Sequence, residues 1–461
     1  MAWPPGVRGL VLAAVLAVGT SAGAIAVLMH PEDSIRKITG TNSAAPGLAW
    51  SINAATLAGQ ASAEFRTPVG GTEYDHGSAG FVAAGNTMIT VIGARGESAL
   101  RDPQMYGIDA RTGATRWHAS AAGLGGCADT PVDGNLVCFT AAGDKPPALV
   151  GYDIDTGAIT RTSIDWLIFG LAADQDRLYV AEGDVESDEV RVHAGTLADP
   201  KAHWSRAFAV GTSWDSVDSQ VLDVAHGQGV LGLGAGLAGF DLRTGGPTWT
   251  ADLNGCSSAR GTFDALVVRT RIQCPGSRPE GSNGRTGADI LDRTGRTLAN
   301  TDSAAVHDVA IDRPTDATIP ILLADSAYDR RDGTVRWTNP DLATRDGNTL
   351  RVAALGDAAL LFDSRAGTTT GLDLRTGHQL WKASTRRFGT VHTWNGRLAV
   401  LSDNAGLWAI DPHTGDTIWD IPFRAVNDAP TPIADGQLTE TSSGTYVFTD
   451  SHTMIGLRPL D

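Results

Sequence analysis

The sequence predicts an all-β fold, a β-propeller of about eight four-stranded blades with nine also allowed, preceded by one transmembrane helix. Three observations carry this expectation. A short phrase recurs on a near-constant register, the composition is rich in turn formers with 55 Gly and 21 Pro, and one long apolar segment lies near the N-terminus.

The recurring phrase comes first. It reads Tyr106-Gly-Ile-Asp-Ala-Arg-Thr-Gly113-Ala-Thr-Arg-Trp117 and returns as Gly239-Phe-Asp-Leu-Arg-Thr-Gly245-Gly-Pro-Thr-Trp249. Further copies are Tyr328-Asp-Arg-Arg-Asp-Gly333-Thr-Val-Arg-Trp337, Leu372-Asp-Leu-Arg-Thr-Gly377-His-Gln-Leu-Trp381 and Ile410-Asp-Pro-His-Thr-Gly415-Asp-Thr-Ile-Trp419. In all five, Trp stands four residues after Gly. Degenerate copies end at Gly157 and at Gly295 without a Trp, and another near Val192-His-Ala-Gly ends at Trp204. Gly113 to Gly157 and Gly333 to Gly377 are each 44 residues, while Gly157 to Gly245 and Gly245 to Gly333 are each 88. A period of about 40–50 residues is that of a four-stranded propeller blade.

The chemistry of the phrase fits a hairpin between the last two strands of a blade. Asp and Thr side chains bond local backbone groups, and Gly supplies a positive φ. An alternating apolar run precedes the turn, as in Gly406-Leu-Trp-Ala-Ile-Asp411. Trp117, Trp204, Trp249, Trp337, Trp381 and Trp419 are read as wedges between neighbouring blades, in preference to a ligand-stacking cage. Gly113, Gly157, Gly245, Gly295, Gly333, Gly377 and Gly415 are read as the turn residues.

This phrase resembles the repeat of the PQQ-type propellers, which include the quinoprotein dehydrogenases and a non-enzymatic branch of outer-membrane-assembly lipoproteins. The likeness covers residues 48–461. The resemblance implies a ring closed by pairing an N-terminal strand with the last blade, and Leu48-Ala-Trp50-Ser-Ile is the candidate strand. Closure leaves no sheet edge exposed. Eight repeats end between Trp117 and Trp419, and the shared closing blade makes nine, whereas the resemblance favours eight.

From Gly9 to Met29 runs a stretch of 21 residues without a charge, with Arg8 before it. At about 1.5 Å per residue such a helix spans a hydrocarbon core of roughly 30 Å. The expected layout is a cytoplasmic tail at 1–8, an anchor at 9–29, a linker at 30–47 and the propeller at 48–461. A cleaved signal peptide competes, since Ala22-Gly23-Ala24 resembles a cleavage site, but the apolar run is longer than a usual signal core. No Cys lies nearby to take a lipid. Flanking charges leave the orientation open, with Arg8 on one side and Arg36 and Lys37 on the other.

Four cysteines supply the orientation. They fall in two close pairs, Cys127 with Cys138 and Cys256 with Cys274, each across a turn-like stretch. No C-x-x-C motif and no zinc-finger spacing is present, and two unrelated thiol pairs are the competing reading. Two disulfides imply an oxidising compartment, and therefore a propeller outside the cytoplasm.

The resemblance to quinoproteins implies a cofactor site whose residues can be sought in this sequence. Those enzymes carry an adjacent Cys-Cys pair, an Asp base, and Glu and Asn ligands to calcium; no Cys-Cys dipeptide occurs here. The fold alone licenses no chemistry. Asp184-Val-Glu186-Ser-Asp188-Glu189 alternates carboxylates but lacks the Gly and terminal Glu of a calcium loop. No H-x-x-x-H helix, nucleophile elbow or phosphate loop appears. The polar stretch Pro275–Gly284 reads as a surface insertion. A net charge of −16 without a basic cluster argues against nucleic acid. The expected function is a non-enzymatic interaction scaffold of the cell envelope, with no cofactor, metal or catalytic set. Its expected partners are envelope proteins or cell-wall components. The alternative is a quinoprotein-like or sugar-active enzyme, or a ligand binder, using the central channel.

Overall fold

The computed structural model describes residues 45–458, apart from 74–76, 97–98, 144–145, 185–188, 211–220, 234–235, 253–257, 273–284, 303–308, 343–349, 385–386, 388, 424–435 and 442–443. The anchor expected at 9–29 lies outside the described residues. Among those described, no helix is long and apolar enough to cross a membrane.

The chain folds as nine successive β-sheets, with one short α-helix, α1 (Ala54–Ala58), among the described residues. Blades 1 to 8 occupy residues 63–120, 124–163, 167–208, 222–252, 258–301, 321–338, 350–384 and 390–422. Blade 9 is built from 437–458 together with the N-terminal strand β1 (Gly47–Asn53). β1 runs antiparallel to Thr453–Arg458, with Ser51 opposite Ile455 and Asn53 opposite Thr453. Closure therefore occurs as the resemblance implied. Nine blades, the higher of the two counts the repeat allowed, are present, because all three degenerate copies form four-stranded sheets, at 124–163, 167–208 and 258–301, and the closing strand completes another.

Within a blade consecutive strands run antiparallel, and the inner strands are mostly buried on both faces, as in Thr87–Arg95 and Ala358–Asp363, whereas fourth strands such as Ile159–Ser163 and Gln379–Ser384 are largely exposed. The reason is visible in how the core is divided. Nine apolar clusters each join two successive blades, and one of them joins blade 9 to blade 1. In that last cluster Trp50, Val447 and Met454 meet Phe65, Met88 and Ile108. A blade has no core of its own; it is stable only between two neighbours.

The repeated phrase forms the hairpin between the third and fourth strands. In blade 1, Asp109 Oδ1 accepts from the backbone N–H of Arg111 and Thr112 at 3.0 Å each, and Gly113 takes φ 71°. Burial pushes the Asp109 carboxyl up, but hydrogen bonds from Arg116, Thr112 and the turn amides outweigh it and hold it at about 2. The stabilisation from this carboxylate is complete above its unfolded value of about 3.9 and is lost as pH falls toward 2.

Blade 6 departs from the four-strand expectation. It keeps three strands, and the segment before it, Val309–Arg313, pairs in parallel with the first strand of blade 7. First strands of successive blades run side by side in the same direction, so a first strand is within reach of either sheet.

Candidate functional site

The interblade contacts account for the repeated residues. The Trp117 ring lies across Gly107 of its own blade and Gly157 of the next. A Cβ on Gly157 would come within 2.5 Å of that ring. Its indole N–H donates to Ile154 O at 2.7 Å. Trp204 repeats the arrangement on Gly245, with a bond to Leu242 O at 3.0 Å, and Trp337 on Gly377, with a bond to Leu374 O at 2.8 Å. Trp381 does so on Gly415, bonding Pro412 O at 2.8 Å, and Trp249 lies on Gly295. Trp50 of β1 completes the set: it covers Gly456 and Gly113 and donates to Ala110 O at 3.0 Å. Only Gly leaves room for an indole flat against a turn, which gives each blade a large buried contact with its neighbour.

Three interfaces differ. Between blades 2 and 3, Leu197 covers Gly151; between blades 5 and 6, Leu298 covers Gly333. Between blades 8 and 9 there is no turn to cover, and Trp419 packs against Tyr446 with ring centroids 6.1 Å apart. Leucine at positions outside the phrase was not foreseeable from the repeat.

Cys127 and Cys138 are opposite one another on adjacent antiparallel strands of blade 2 and form a disulfide. Closing a loop of this size contributes about 2–3 kcal/mol in the chain-entropy picture. Peptide mapping without reduction is expected to recover Cys127 linked to Cys138; free thiols at both positions in protein from its native compartment would contradict this. Cys256, Cys274, the carboxylates at 186 and 188, and the whole polar stretch 275–284 lie outside the described residues.

The channel wall is formed by the first strands of the blades. In blade 1 this strand is split into Ala63–Arg66 and Val82–Ala84, and the residues between make an excursion toward blade 2. Thr72 donates from its hydroxyl to Ala121 O at 2.8 Å and from its backbone N–H to Leu124 O at 2.8 Å. Gly71, at φ 72°, lies so close to the Gly125 backbone that a Cβ would stand 2.6 Å from it. The Gly70-Gly71 pair was the available sequence signal for this excursion.

Two cavities lie at the ends of first strands. The larger, about 780 Å³, lies where the first strands of blades 3 and 4 end; Asp129, Asp174, Asp223 and Arg260 contribute charge and His226 an imidazole. Asp223 is committed to structure there, accepting from Gly261 N–H at 2.6 Å. The smaller, about 300 Å³, lies where blades 8, 9 and 1 meet and includes His392 and Ser402. His392 Nε2 and Ser402 Oγ are 2.6 Å apart on adjacent strands. Burial pushes the His392 imidazole down to about 4, so it is uncharged near neutral pH.

A further polar pair sits inside blade 3. Glu182 Oε1 and His193 Nε2 are 2.6 Å apart, at 1% and 0% side-chain exposure. Glu182 Oε2 and His193 Nδ1 have no hydrogen-bond partner among the described residues. Lys201 approaches Glu182 at 4.0 Å and pairs with Asp165 at 2.8 Å. Among the described residues, no group of three or more His, Cys, Asp or Glu is placed to hold a metal.

Residues 323–461 match a protein family described as outer membrane protein assembly factor BamB. No curated protein matches the sequence. Among solved structures, BamB from Moraxella catarrhalis is 18% identical, with 74% of this chain and 92% of that chain covered and a TM-score of 0.37. A europium-containing methanol dehydrogenase is 11% identical, with 88% and 85% covered and a TM-score of 0.42. A quinohemoprotein alcohol dehydrogenase from Pseudomonas putida HK5 is 11% identical, with 90% and 76% covered and a TM-score of 0.44.

Proposed function

Starting from a propeller of PQQ-type repeats, we propose that this chain is a non-enzymatic interaction scaffold of the cell envelope. Residues 9–29 hold it to the membrane and the ring lies on the extracytoplasmic side, where it meets envelope proteins or cell-wall components. The observation that carries this reading is the ring itself: every blade is clamped to its neighbour, and the last is clamped to the first.

Further ties cross the face where the first two and last two strands of each blade turn. Arg375 of the blade 7 turn reaches Thr318 at 2.7 Å and Asp316 at 3.2 Å, before blade 6. His413 of the blade 8 turn reaches Asp357 of blade 7 at 2.8 Å. Arg293 of the blade 5 turn donates to His226 O of blade 4 at 2.7 Å. A body held in this way presents its loops with little loss of conformational entropy when a partner docks. The match of residues 323–461 to an assembly-factor family supports a protein-binding role at that coarse level. The Cys127–Cys138 disulfide supports an oxidising compartment.

The competing reading, a quinoprotein-like enzyme, requires a cofactor held against a base and a cation. His392 and Ser402 resemble a base beside a nucleophile, yet among the described residues no carboxylate orients the imidazole. Titration of the purified chain with PQQ and Ca²⁺, followed by absorbance, is expected to show no saturable binding. Binding at about micromolar Kd or tighter, followed by dye reduction in the presence of alcohols or sugars, would overturn the scaffold reading.

A further inference from the structure

The small cavity at the seam of the ring has a lining unlike the rest of this acidic chain. Blade 1 contributes Thr67 and Ser78, blade 8 contributes Thr390, His392 and Ser402, and blade 9 contributes Gln437. All the hydrogen-bonding side chains that line it among the described residues are uncharged: four hydroxyls, one amide and one imidazole. None of the eight described lining residues carries a carboxylate, ammonium or guanidinium group.

Three of the six groups are also fixed in place. His392 is held by Ser402 at 2.6 Å and stands edge-on to Phe448, with ring centroids 6.3 Å apart. Gln437 accepts at Oε1 from the Phe81 backbone N–H at 2.8 Å, across the junction of blades 9 and 1. Gly80 makes room for that amide, because a Cβ at position 80 would collide with Oε1. A volume of about 300 Å³ is at the lower end of small-molecule sites, enough for one or two rings and too small for a protein segment of any length.

From this geometry we propose that the seam cavity binds a neutral, multiply hydroxylated small molecule of the saccharide class. The selection follows from what each alternative would leave unpaired. An anionic or cationic ligand would enter a partly buried site with no opposing charge among the described lining residues, and its desolvation would go uncompensated. An apolar ligand would strip water from the Thr67, Ser78 and Thr390 hydroxyls and replace none of their hydrogen bonds. A polyol both donates and accepts, as these groups do. The ligand would span blades 8, 9 and 1, so its binding would stabilise the ring at its closure. This inference adds a ligand to the chain and does not depend on the scaffold role or on the membrane anchor.

Calorimetric titration of the purified full chain tests it, with glucose, N-acetylglucosamine, maltose and cellobiose as neutral probes and with glucuronate and glucosamine as charged ones. At least one neutral probe is expected to bind saturably at or below about 10 mM and to raise the melting temperature. Both charged probes are expected to bind at least about tenfold more weakly, the loss of roughly one well-placed hydrogen bond or more. Thr390→Val is expected to weaken that binding by about tenfold while melting close to the parent chain without ligand, and Ser402→Ala is expected to weaken it by at least as much with a lower melting temperature, because His392 loses its partner. Thr130→Val, in the larger cavity, is expected to leave it unchanged. Absence of binding by every neutral probe, equal binding of glucuronate, or binding indifferent to Thr390→Val and Ser402→Ala would each overturn the proposal.

Discussion

Deleting residues 46–53 is expected to lower the stability of the ring by about 5 kcal/mol, the largest single loss this fold offers short of removing a blade. The segment supplies the whole outer strand of blade 9, and Trp50 within it covers Gly456 and Gly113 and bonds Ala110 O. Removing a buried Trp alone costs about 3–5 kcal/mol, and six ladder pairs with Thr453–Arg458 go with it. The strand left behind, rich in buried apolar residues, becomes an open edge able to pair with a second molecule. Urea unfolding should show the lowered midpoint, and size-exclusion chromatography should show association. A monomeric deletion protein with the parent's midpoint would show that β1 does not close the ring.

Two Gly→Ala substitutions in blade 2 should separate by about 1–3 kcal/mol, the size of an overpacking penalty. Gly134 and Gly157 hold nearly the same backbone conformation, at φ 73° and 70°. Placing Ala at either costs about 1–2 kcal/mol in that left-handed region. They differ in surroundings. A Cβ on Gly134 meets nothing within 4 Å, whereas one on Gly157 meets the Trp117 ring at 2.5 Å. Gly134→Ala therefore reports the backbone term alone, and Gly157→Ala adds the displacement of the interblade Trp. Chemical denaturation of both variants checks this. Equal losses would mean that Trp117 moves aside without penalty and that the indole does not hold blades 1 and 2 together.

Much of this architecture was legible before any coordinates. The 44-residue register located the blades, and the Asp-x-x-Thr-Gly wording located the hairpins, because both arise from local chemistry that every copy must satisfy. Leu48–Ile52 was readable as the missing strand since the last blade visibly lacked one. Cys127 and Cys138 were readable as partners because the turn between them sets two strands antiparallel. Other features have no local cause. Leu197 and Leu298 replace Trp because their interfaces are solved by whatever side chain reaches the neighbouring Gly, and reach is set by the ring. The capture of Val309–Arg313 by blade 7 depends on how first strands converge around the channel. His392 and Ser402, and Glu182 and His193, are neighbours across a ladder, ten and eleven residues apart. Such pairs follow from register, which a single sequence does not reveal when both strands are buried on both faces. The seam cavity is further from view still, since it gathers residues from both ends of the chain.

The claim on which the functional account rests is that the ring lies outside the cytoplasm, and one labelling measurement tests it directly. Ser384, exposed at the end of the outer strand of blade 7, takes a cysteine without touching any interblade contact described above. The Ser384→Cys chain is placed in sealed, right-side-out membrane vesicles and treated with a membrane-impermeant maleimide before and after detergent. Labelling that is already complete in the sealed vesicles, with the chain retained in the membrane fraction, is the predicted result. Labelling that appears only after detergent would put the propeller in the cytoplasm and contradict the account.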